Sequence, residues 1–239
     1  MNLILFEPAE TTAPLPRRDP RSEHILDVLR RKVGDTFDAG LVNGPRGKGT
    51  LAALDESTLT LTFTWGPPPP PLDPITLIIG LPRPQTARDI LRDATALGVA
   101  ALHFVATEKS EPSYASSTLW SSGEWRRHLL DGAQQAFDTR LPDVTHGRTL
   151  VDTLGTPAKN QIRLALDHYE SPSPLSQCHL MGDTSVVLAI GPERGWSARD
   201  REALRGSGFT LVHLGPRVLR TETACIAALA VIRSKLGLM

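Results

Sequence analysis

The stretch AIGPERGWSARDREALRGSGFTLVHLGPRVLRTETACIAAL occupies residues 189–229 and decides how the C-terminal part of the chain folds. It contains two glycine-proline pairs, Gly191-Pro192 and Gly215-Pro216, and each directly follows an apolar run. Glycine permits close backbone approach and proline fixes φ, so each pair predicts a stiff turn at the end of a strand. In a parallel α/β sheet, ligands bind beyond the carboxyl ends of the strands. We therefore expect the two turns to border a ligand site.

Further apolar runs predict that these strands belong to a larger parallel sheet. Five runs are almost continuously apolar, as in strands covered by helices on both faces, and they occupy residues 75–81, 99–107, 161–167, 185–191 and 209–215. Helical periodicity occurs between and after them, at residues 86–97, 116–138, 197–206 and 221–236. Thr86 with Asp89, and Ser197 with Asp200, fit helix-start capping boxes. This alternation is typical of an α/β domain.

A proline-rich segment, WGPPPPPLDP at residues 65–74, separates this α/β part from the N-terminal part. Consecutive prolines favour an extended conformation that neither a helix nor a central strand accepts. Before it, short apolar stretches and one helical stretch alternate with turns, at residues 3–6, 22–31, 36–42, 50–54 and 59–63. We predict a small β-barrel with one helix over residues 1–66, a linker over 67–74 and an α/β domain over 75–239.

The composition is that of an ordinary globular protein, with 40% hydrophobic and 22% charged residues. Cys178 and Cys225 are too few for a disulfide framework and lie in no metal-binding pattern. We therefore expect a reducing, cytoplasmic location and no metal. No apolar run approaches the length of a signal or membrane segment, so no membrane partner is expected.

The charges are unevenly distributed although the formal net charge is zero. Residues 17–32 and 199–235 each carry an excess of basic side chains. If the fold brings these segments together, they could form a surface that contacts phosphates. The alternative is that the arginines are simply solvated.

No common nucleotide-binding or hydrolase motif explains the two turns. The loop NGPRGKGT at residues 43–50 lacks the spacing of a phosphate-binding loop and is typical of a hairpin turn. The sequence contains neither GxGxxG after a strand nor GxSxG. The residues after the second turn, Arg217, Arg220 and Glu222, could bind an anion, or they could form only a helix cap and an ion pair.

At both turns the sequence resembles the small-subunit ribosomal RNA uridine-N3 methyltransferases, a family of the knotted SPOUT superfamily. GPERGWS at residues 191–197 is similar to the family's GPEGG(F/L)S loop, and LGPRVLRTETA at 214–224 is similar to its LG.R(I/V)LR.ETA segment. HILDVLRRKVGD at 24–35 and ATALGV at 94–99 extend the resemblance over most of the chain.

Three residues depart from the family pattern. Ala96 replaces an acidic residue, Lys109 stands where arginine is common, and Arg194 replaces a loop glycine. Because a non-glycine residue is strained at positive φ, we expect Arg194 to alter the loop backbone.

The resemblance implies a parallel sheet tied in a deep trefoil knot, preceded by a PUA-like β-barrel. It also implies that S-adenosyl-L-methionine binds to three loops: one after Leu166, one at residues 191–195 and one at residues 214–219. Ile190, Leu214 and Leu219 would flank the adenine, and backbone amides near Gly191 and Gly215 would supply polar contacts. The predicted cofactor-binding residues are Leu166, Ile190, Gly191, Pro192, Glu193, Gly195, Leu214, Gly215, Arg217 and Leu219.

The implied reaction is methyl transfer to N3 of one uridine in 16S ribosomal RNA. The N3 proton is weakly acidic, so catalysis requires its removal or stabilisation of the resulting anion. Two catalytic residues are predicted. Arg220 would stabilise charge on the uracil carbonyl oxygens, and Glu222 would orient Arg220 or relay the proton. The alternative for Glu222 is a purely structural role at the start of the last helix.

The N-terminal barrel is predicted to hold the RNA backbone through Arg17, Arg18, His24, Arg30, Arg31 and Lys32. The resemblance further implies a homodimer, formed through the last helix, that acts on 16S ribosomal RNA or on the assembled 30S subunit. Burial of that helix within one subunit would explain its small residues equally well.

Two other functions remain open at this point. Ala96 and Arg194 would suit a non-catalytic RNA-binding or ribosome-assembly factor that kept the fold. The chain could also be a SPOUT methyltransferase for another RNA position, such as a ribose 2′-hydroxyl or a transfer RNA base.

Overall fold

The structure, a computed structural model, describes residues 3–155, 160–180 and 184–239. The chain divides into two compact units, Met1–Pro71 with Leu130–Leu141, and Leu72–Leu129 with Pro142–Met239. Residues 130–141, which we placed in the second domain, therefore group with the first unit. The three-part division into barrel, linker and α/β domain stays a prediction, and each unit is described by itself.

The first unit is built on a five-stranded sheet in the order β1-β3-β4-β5-β2. Its strands are β1 (Ile4–Phe6), β2 (Leu15–Pro16), β3 (Thr36–Leu41), β4 (Arg46–Leu54) and β5 (Thr58–Trp65). β1 and β3 are parallel, whereas the other neighbouring strands are antiparallel. One face of the sheet is buried, and the core contains Phe6, Phe37, Leu51 and Leu59 of the strands together with Ile25.

The predicted helix of the first unit is shorter than expected. Helix α1 (Pro20–Glu23) begins at Asp19, whose side chain accepts a hydrogen bond from the Arg21 amide, and continues as one π-helical turn, His24–Val28. Arg30 has φ of 53°, which ends the helix before residue 31. The four predicted strands are present. β2 was missed because two residues carry no recognisable periodicity.

The second unit is an α/β fold with a parallel seven-stranded sheet, as the sequence predicted. The strand order is β10-β12-β9-β11-β6-β7-β8, and every neighbouring pair is parallel. The strands are β6 (Asp73–Gly80), β7 (Val99–Ala106), β8 (Asp143–Thr149), β9 (Gln161–Leu166), β10 (Ser173–Pro174), β11 (Ser185–Ile190) and β12 (Thr210–His213). The edge strands β8 and β10 were not predicted, because neither contains an apolar run. β6 also begins inside the predicted linker.

The remaining helices are α2 (Pro84–Ala96), α3 (Thr118–Ser121), α4 (Trp125–Gln135), α5 (Leu150–Leu154), α6 (Ala198–Gly206) and α7 (Thr221–Lys235). The helix predicted over residues 116–138 is divided into α3 and α4, since Gly123 between them has φ of 75°. The predicted capping box of Ser197 and Asp200 is confirmed. The predicted capping box of Thr86 and Asp89 is wrong, because α2 begins before Thr86. Among the described residues, no helix is both long and apolar enough to cross a membrane.

Gly80, the last residue of β6, lies against the turn that follows β11. A Cβ atom at position 80 would overlap Cδ of Pro192 and lie 2.8 Å from its backbone nitrogen. The turn therefore packs on the end of β6 only because residue 80 has no side chain.

We expect Gly80→Ala to lower the free energy of unfolding by about 1–3 kcal/mol, because the added methyl group overpacks this contact. The matched control is Gly206→Ala at the end of α6, where the same methyl group meets nothing within 4 Å. That control should be neutral or stabilising by up to about 1 kcal/mol. Urea unfolding measures both variants, and equal effects would contradict the packing argument.

Candidate active site

A cavity of about 590 Å³ lies at the carboxyl ends of β9, β11 and β12. These three strands are neighbours in the sheet and run parallel, so the loops that follow them meet at one edge. The cavity is lined by residues 166–169, 190–196, 213–214 and 217–222, together with Arg83 and Ala224. The three segments predicted from the sequence are thus brought together.

The loop after β9 is held by Asp167, a residue that the sequence analysis did not single out. Asp167 is 6% exposed. One carboxylate oxygen accepts hydrogen bonds from the amides of Tyr169 and Glu170, at 2.8 Å and 2.6 Å. The other accepts a hydrogen bond from Nε of Arg201 on α6, at 2.6 Å. The loop is therefore tied both to itself and to a helix.

The environment of Asp167 favours its ionised form. Burial by itself raises the pKa of this carboxyl group, but the hydrogen bonds from the Glu170 amide, Arg201 and the Tyr169 amide outweigh burial. The pKa of Asp167 is therefore lower than that of an ordinary aspartate.

The turn after β11 is closed by a hydrogen bond from the amide of Gly195 to the carbonyl oxygen of Pro192, at 2.7 Å. Positive φ falls on Gly195, at 66°. The backbone of Arg194 does not have positive φ, so the expectation that Arg194 strains the loop is wrong. Its neighbouring glycine takes the left-handed position instead. Gly191 packs against the Gly195 backbone, where a Cβ would approach to 3.2 Å.

Hydrogen bonds of three side chains fix this second loop to its surroundings. Nε1 of Trp196 donates to the carbonyl oxygen of Leu166 at 2.9 Å, which joins the second loop to the first. Nζ of Lys109 donates to the carbonyl oxygen of Trp196 at 2.9 Å. The carboxylate of Glu193 accepts a hydrogen bond from the Arg83 amide at 3.0 Å. Glu193, predicted to bind the cofactor, therefore also holds its loop at the start of α2.

The third loop follows β12 and leaves several polar groups available. Gly215 has φ of 106°, and its amide donates to Nδ1 of His213 at 3.0 Å. Gly215 does not line the cavity, whereas the other predicted cofactor-binding residues do. The backbone amides of Val218, Leu219 and Arg220 donate no hydrogen bond to any residue within the described ranges. These amides are free to bind a ligand.

The two predicted catalytic residues lie on the same cavity wall as Arg217. Arg220 is the N-cap residue of α7, and its side chain forms no capping hydrogen bond. Glu222 lies in the first turn of α7, where the helix dipole favours a carboxylate. In the part of the chain that the structure describes, neither Arg217, Arg220 nor Glu222 forms a side-chain ion pair. The ion pair of the structural alternative is therefore absent among the described residues, whereas a structural role of Glu222 at the start of α7 stays open.

A family model described as an RNA methyltransferase domain matches residues 68–233. Ribosomal RNA small subunit methyltransferase E of Treponema pallidum is 37% identical over 97% of this chain and 90% of its own length. The chain belongs to this RNA methyltransferase family. Ribosomal RNA small subunit methyltransferase E 1 of Borreliella burgdorferi is 26% identical over 99% of both chains. The family predicted from the two turns is confirmed.

Solved structures with the same fold cover both units of this RNA methyltransferase. A probable rRNA methyltransferase from Porphyromonas gingivalis has a TM-score of 0.80 at 21% identity, and covers 98% of each chain. Ribosomal RNA small subunit methyltransferase E from Neisseria gonorrhoeae, bound to S-adenosyl methionine, has a TM-score of 0.75 at 22% identity. That alignment covers 98% of this chain and 97% of the other. These likenesses show the fold.

The six residues predicted to bind RNA all lie in the first unit of this RNA methyltransferase. Four of them are exposed: Arg17, Arg18, Arg30 and Lys32. His24 and Arg31 are half-buried, and His24 lines a second cavity of about 310 Å³. Their contact with RNA stays a prediction.

We expect Asp167→Asn to cost about 1–3 kcal/mol of unfolding free energy near neutral pH, because it leaves the buried Arg201 with only Glu170, at 3.3 Å, as an ion-pair partner. The folded carboxyl group has a lower pKa than the unfolded one, whose value is about 3.9. Its stabilisation is therefore present above about pH 4 and is lost as the pH falls towards the folded pKa.

Urea unfolding of the wild type should consequently show a steeper loss of stability between about pH 5 and about pH 3 than Asp167→Asn does. Asp143→Asn, at an exposed carboxylate on β8, is the control. Identical pH slopes for wild type and Asp167→Asn would contradict the lowered pKa of Asp167 in the folded protein.

Proposed function

We propose that this protein transfers the methyl group of S-adenosyl-L-methionine to N3 of one uridine in 16S ribosomal RNA. The observation that carries this proposal is the convergence of three strand-end loops on one cavity, in a chain of the RNA methyltransferase family. The relatives are named for the small-subunit ribosomal RNA, and the structure from N. gonorrhoeae contains S-adenosyl methionine.

The cavity fits this methyl donor. Its volume of about 590 Å³ lies within the range of about 300–1,000 Å³ that is usual for small-molecule sites. Ile190, Leu214 and Leu219 offer apolar surface for the adenine. The free amides at residues 218–220 offer donors for polar groups, in addition to the amides near Gly191 that the sequence suggested. When bound, S-adenosyl-L-methionine supplies an electrophilic methyl group.

The residues at the start of α7 would act on the uracil. Arg220 is placed at a helix N-terminus, where its charge and the helix dipole both stabilise negative charge on the uracil carbonyl oxygens. Glu222, two residues further on, would accept or relay the N3 proton. Because neither side chain is engaged in a described ion pair, both can turn toward a substrate without first breaking one.

The finer features of the fold are part of the same proposal. The sheet order requires the connection from β11 to β12 to cross past β9, which supports the deep trefoil knot that the family resemblance implies. The five-stranded sheet of the first unit supports a PUA-like barrel that contacts RNA.

We also propose a homodimer formed through α7. One face of this helix buries Cys225, Ala228, Leu229 and Ile232 within the subunit. Ile226 and Val231 are only partly buried, so apolar surface remains for a partner. The substrate would be 16S ribosomal RNA or the assembled 30S subunit, and the enzyme would act in the cytoplasm.

One of the two sequence departures that suggested a non-catalytic factor no longer supports it, since Arg194 does not distort the loop. No observation favours transfer to a ribose or to transfer RNA. N3 methylation of a uridine in 16S ribosomal RNA therefore remains the function that the site supports best.

Mass-spectrometric mapping of 16S ribosomal RNA tests the reaction and its target. We expect a strain without this gene to lack one N3-methyluridine, and the purified protein with S-adenosyl-L-methionine to restore it. Persistence of every N3-methyluridine in that strain would refute the proposal.

We expect Arg220→Gln to lower kcat about 100- to 1,000-fold, because the developing charge loses its stabilising partner. Glu222→Gln should lower kcat about 100-fold or more. Calorimetric titration should show S-adenosyl-L-methionine affinity close to wild type for both variants.

Arg92→Gln on α2 and Glu202→Gln on α6 are matched controls, since both side chains are exposed and lie outside the cavity. They should retain wild-type turnover. Unchanged turnover of Glu222→Gln at saturating substrate would leave Glu222 with only a structural role.

A further inference from the structure

An exposed aromatic ring stands at the mouth of the cavity. Tyr169, on the loop after β9, lines the cavity and is nevertheless 75% exposed. The other large hydrophobic side chains that are exposed among the described residues are not aromatic. Val218, on the third loop of the same cavity, is 73% exposed. Exposed apolar groups beside a cavity offer surface on which a ligand can pack.

The Tyr169 ring is supported from one side by a buried cation. The guanidinium carbon of Arg201 lies 5.6 Å from the ring centroid, and Arg201 is 8% exposed. The imidazole of His168 meets the ring edge-on, at 5.8 Å between centroids. The ring is thus held in place although most of its surface is in contact with solvent.

Ion pairs hold the support itself. Arg201 pairs with Asp167 at 2.6 Å and with Glu170 at 3.3 Å. Glu170 also pairs with Arg205, one turn further along α6, at 2.6 Å. Since Asp167 accepts the amide hydrogen bond of Tyr169, the same network fixes the backbone and the ring. A ring that is already ordered loses little conformational entropy when a flat ligand stacks on it.

We propose that Tyr169 is the stacking platform that receives the uracil base of the RNA substrate. An enzyme that acts on N3 must take the base out of its stack, and flipped bases are held against aromatic or apolar side chains. Single-stranded bases stack on tyrosine in many RNA-binding sites. The cavity that Tyr169 borders also contains Arg220 and Glu222, so a base on this platform lies at the entrance to the proposed catalytic residues. This inference rests on the proposed function and adds the residue that binds its substrate.

Methyl transfer to small-subunit particles from a strain that lacks the enzyme tests the platform. We expect Tyr169→Ala to lower kcat/KM about 10-fold or more, mainly through KM, because the stacking interaction is lost. Tyr169→Phe keeps the ring and should remain close to wild type. The calorimetric dissociation constant for S-adenosyl-L-methionine should be unchanged in both variants.

Three results would overturn the inference. Tyr169→Ala could retain the wild-type kcat/KM, Tyr169→Phe could lose as much as Tyr169→Ala, or the affinity for S-adenosyl-L-methionine could fall as much as that for the particle. The last result would place the ring on the methyl donor. Tyr169→Leu, which keeps apolar volume over Arg201, replaces Tyr169→Ala if thermal unfolding shows the alanine variant to be unfolded.

Binding of a fluorescent oligouridylate separates this inference from the proposed function. Tyr169→Ala should bind it about 10-fold more weakly than wild type. An abasic oligomer of the same length should bind both proteins equally. If the wild type fails to methylate the particles but shows this difference, the proposed reaction fails and the platform stands. If it methylates them and the difference is absent, only the platform fails.

Discussion

The ion pair between Asp167 and Arg201 is the interaction on which the geometry of the site depends. Burying two charges costs several kcal/mol per ion, and the pair is tolerated only where further hydrogen bonds satisfy the remaining atoms. Here the amides of Tyr169 and Glu170 supply them. The result is that the loop after β9 is tied to α6, the helix that follows the second loop.

The charged residues around the cavity divide into two groups with different tasks. Asp167, Arg201, Lys109 and Glu193 are bonded to the protein itself, and each holds a loop. The charged side chains of the third loop and the start of α7, at residues 217–222, line the cavity without an ion pair among the described residues. Because the first group fixes the walls, the second can respond to a ligand without altering the backbone. Electrostatic stabilisation of this kind is effective when the surrounding dipoles are already in place.

Strong local signals made much of the fold predictable from sequence. The apolar runs of β6, β7, β9, β11 and β12 predicted the parallel sheet, and the two glycine-proline turns predicted the cavity. Edge strand β8 and helix α5 carry no such signal, since β8 is polar and α5 has five residues. The role of Asp167 depends on Arg201, 34 residues away along the chain, and no spacing rule connects them. The family motif predicted the cofactor loops, but not the contacts that fix these three loops around the cavity.

Different side chains hold the two sides of the cavity. The second loop is held by Lys109 and Glu193, through contacts that do not involve Tyr169. The first loop presents Tyr169 through Asp167 and α6. The hydrogen bond from Trp196 to the Leu166 carbonyl oxygen joins the two loops through the backbone of Leu166, so side chains at 168–170 can change without disturbing it. Substitutions at 168–170 can therefore alter the proposed base platform while Lys109 and Glu193 still hold the second loop.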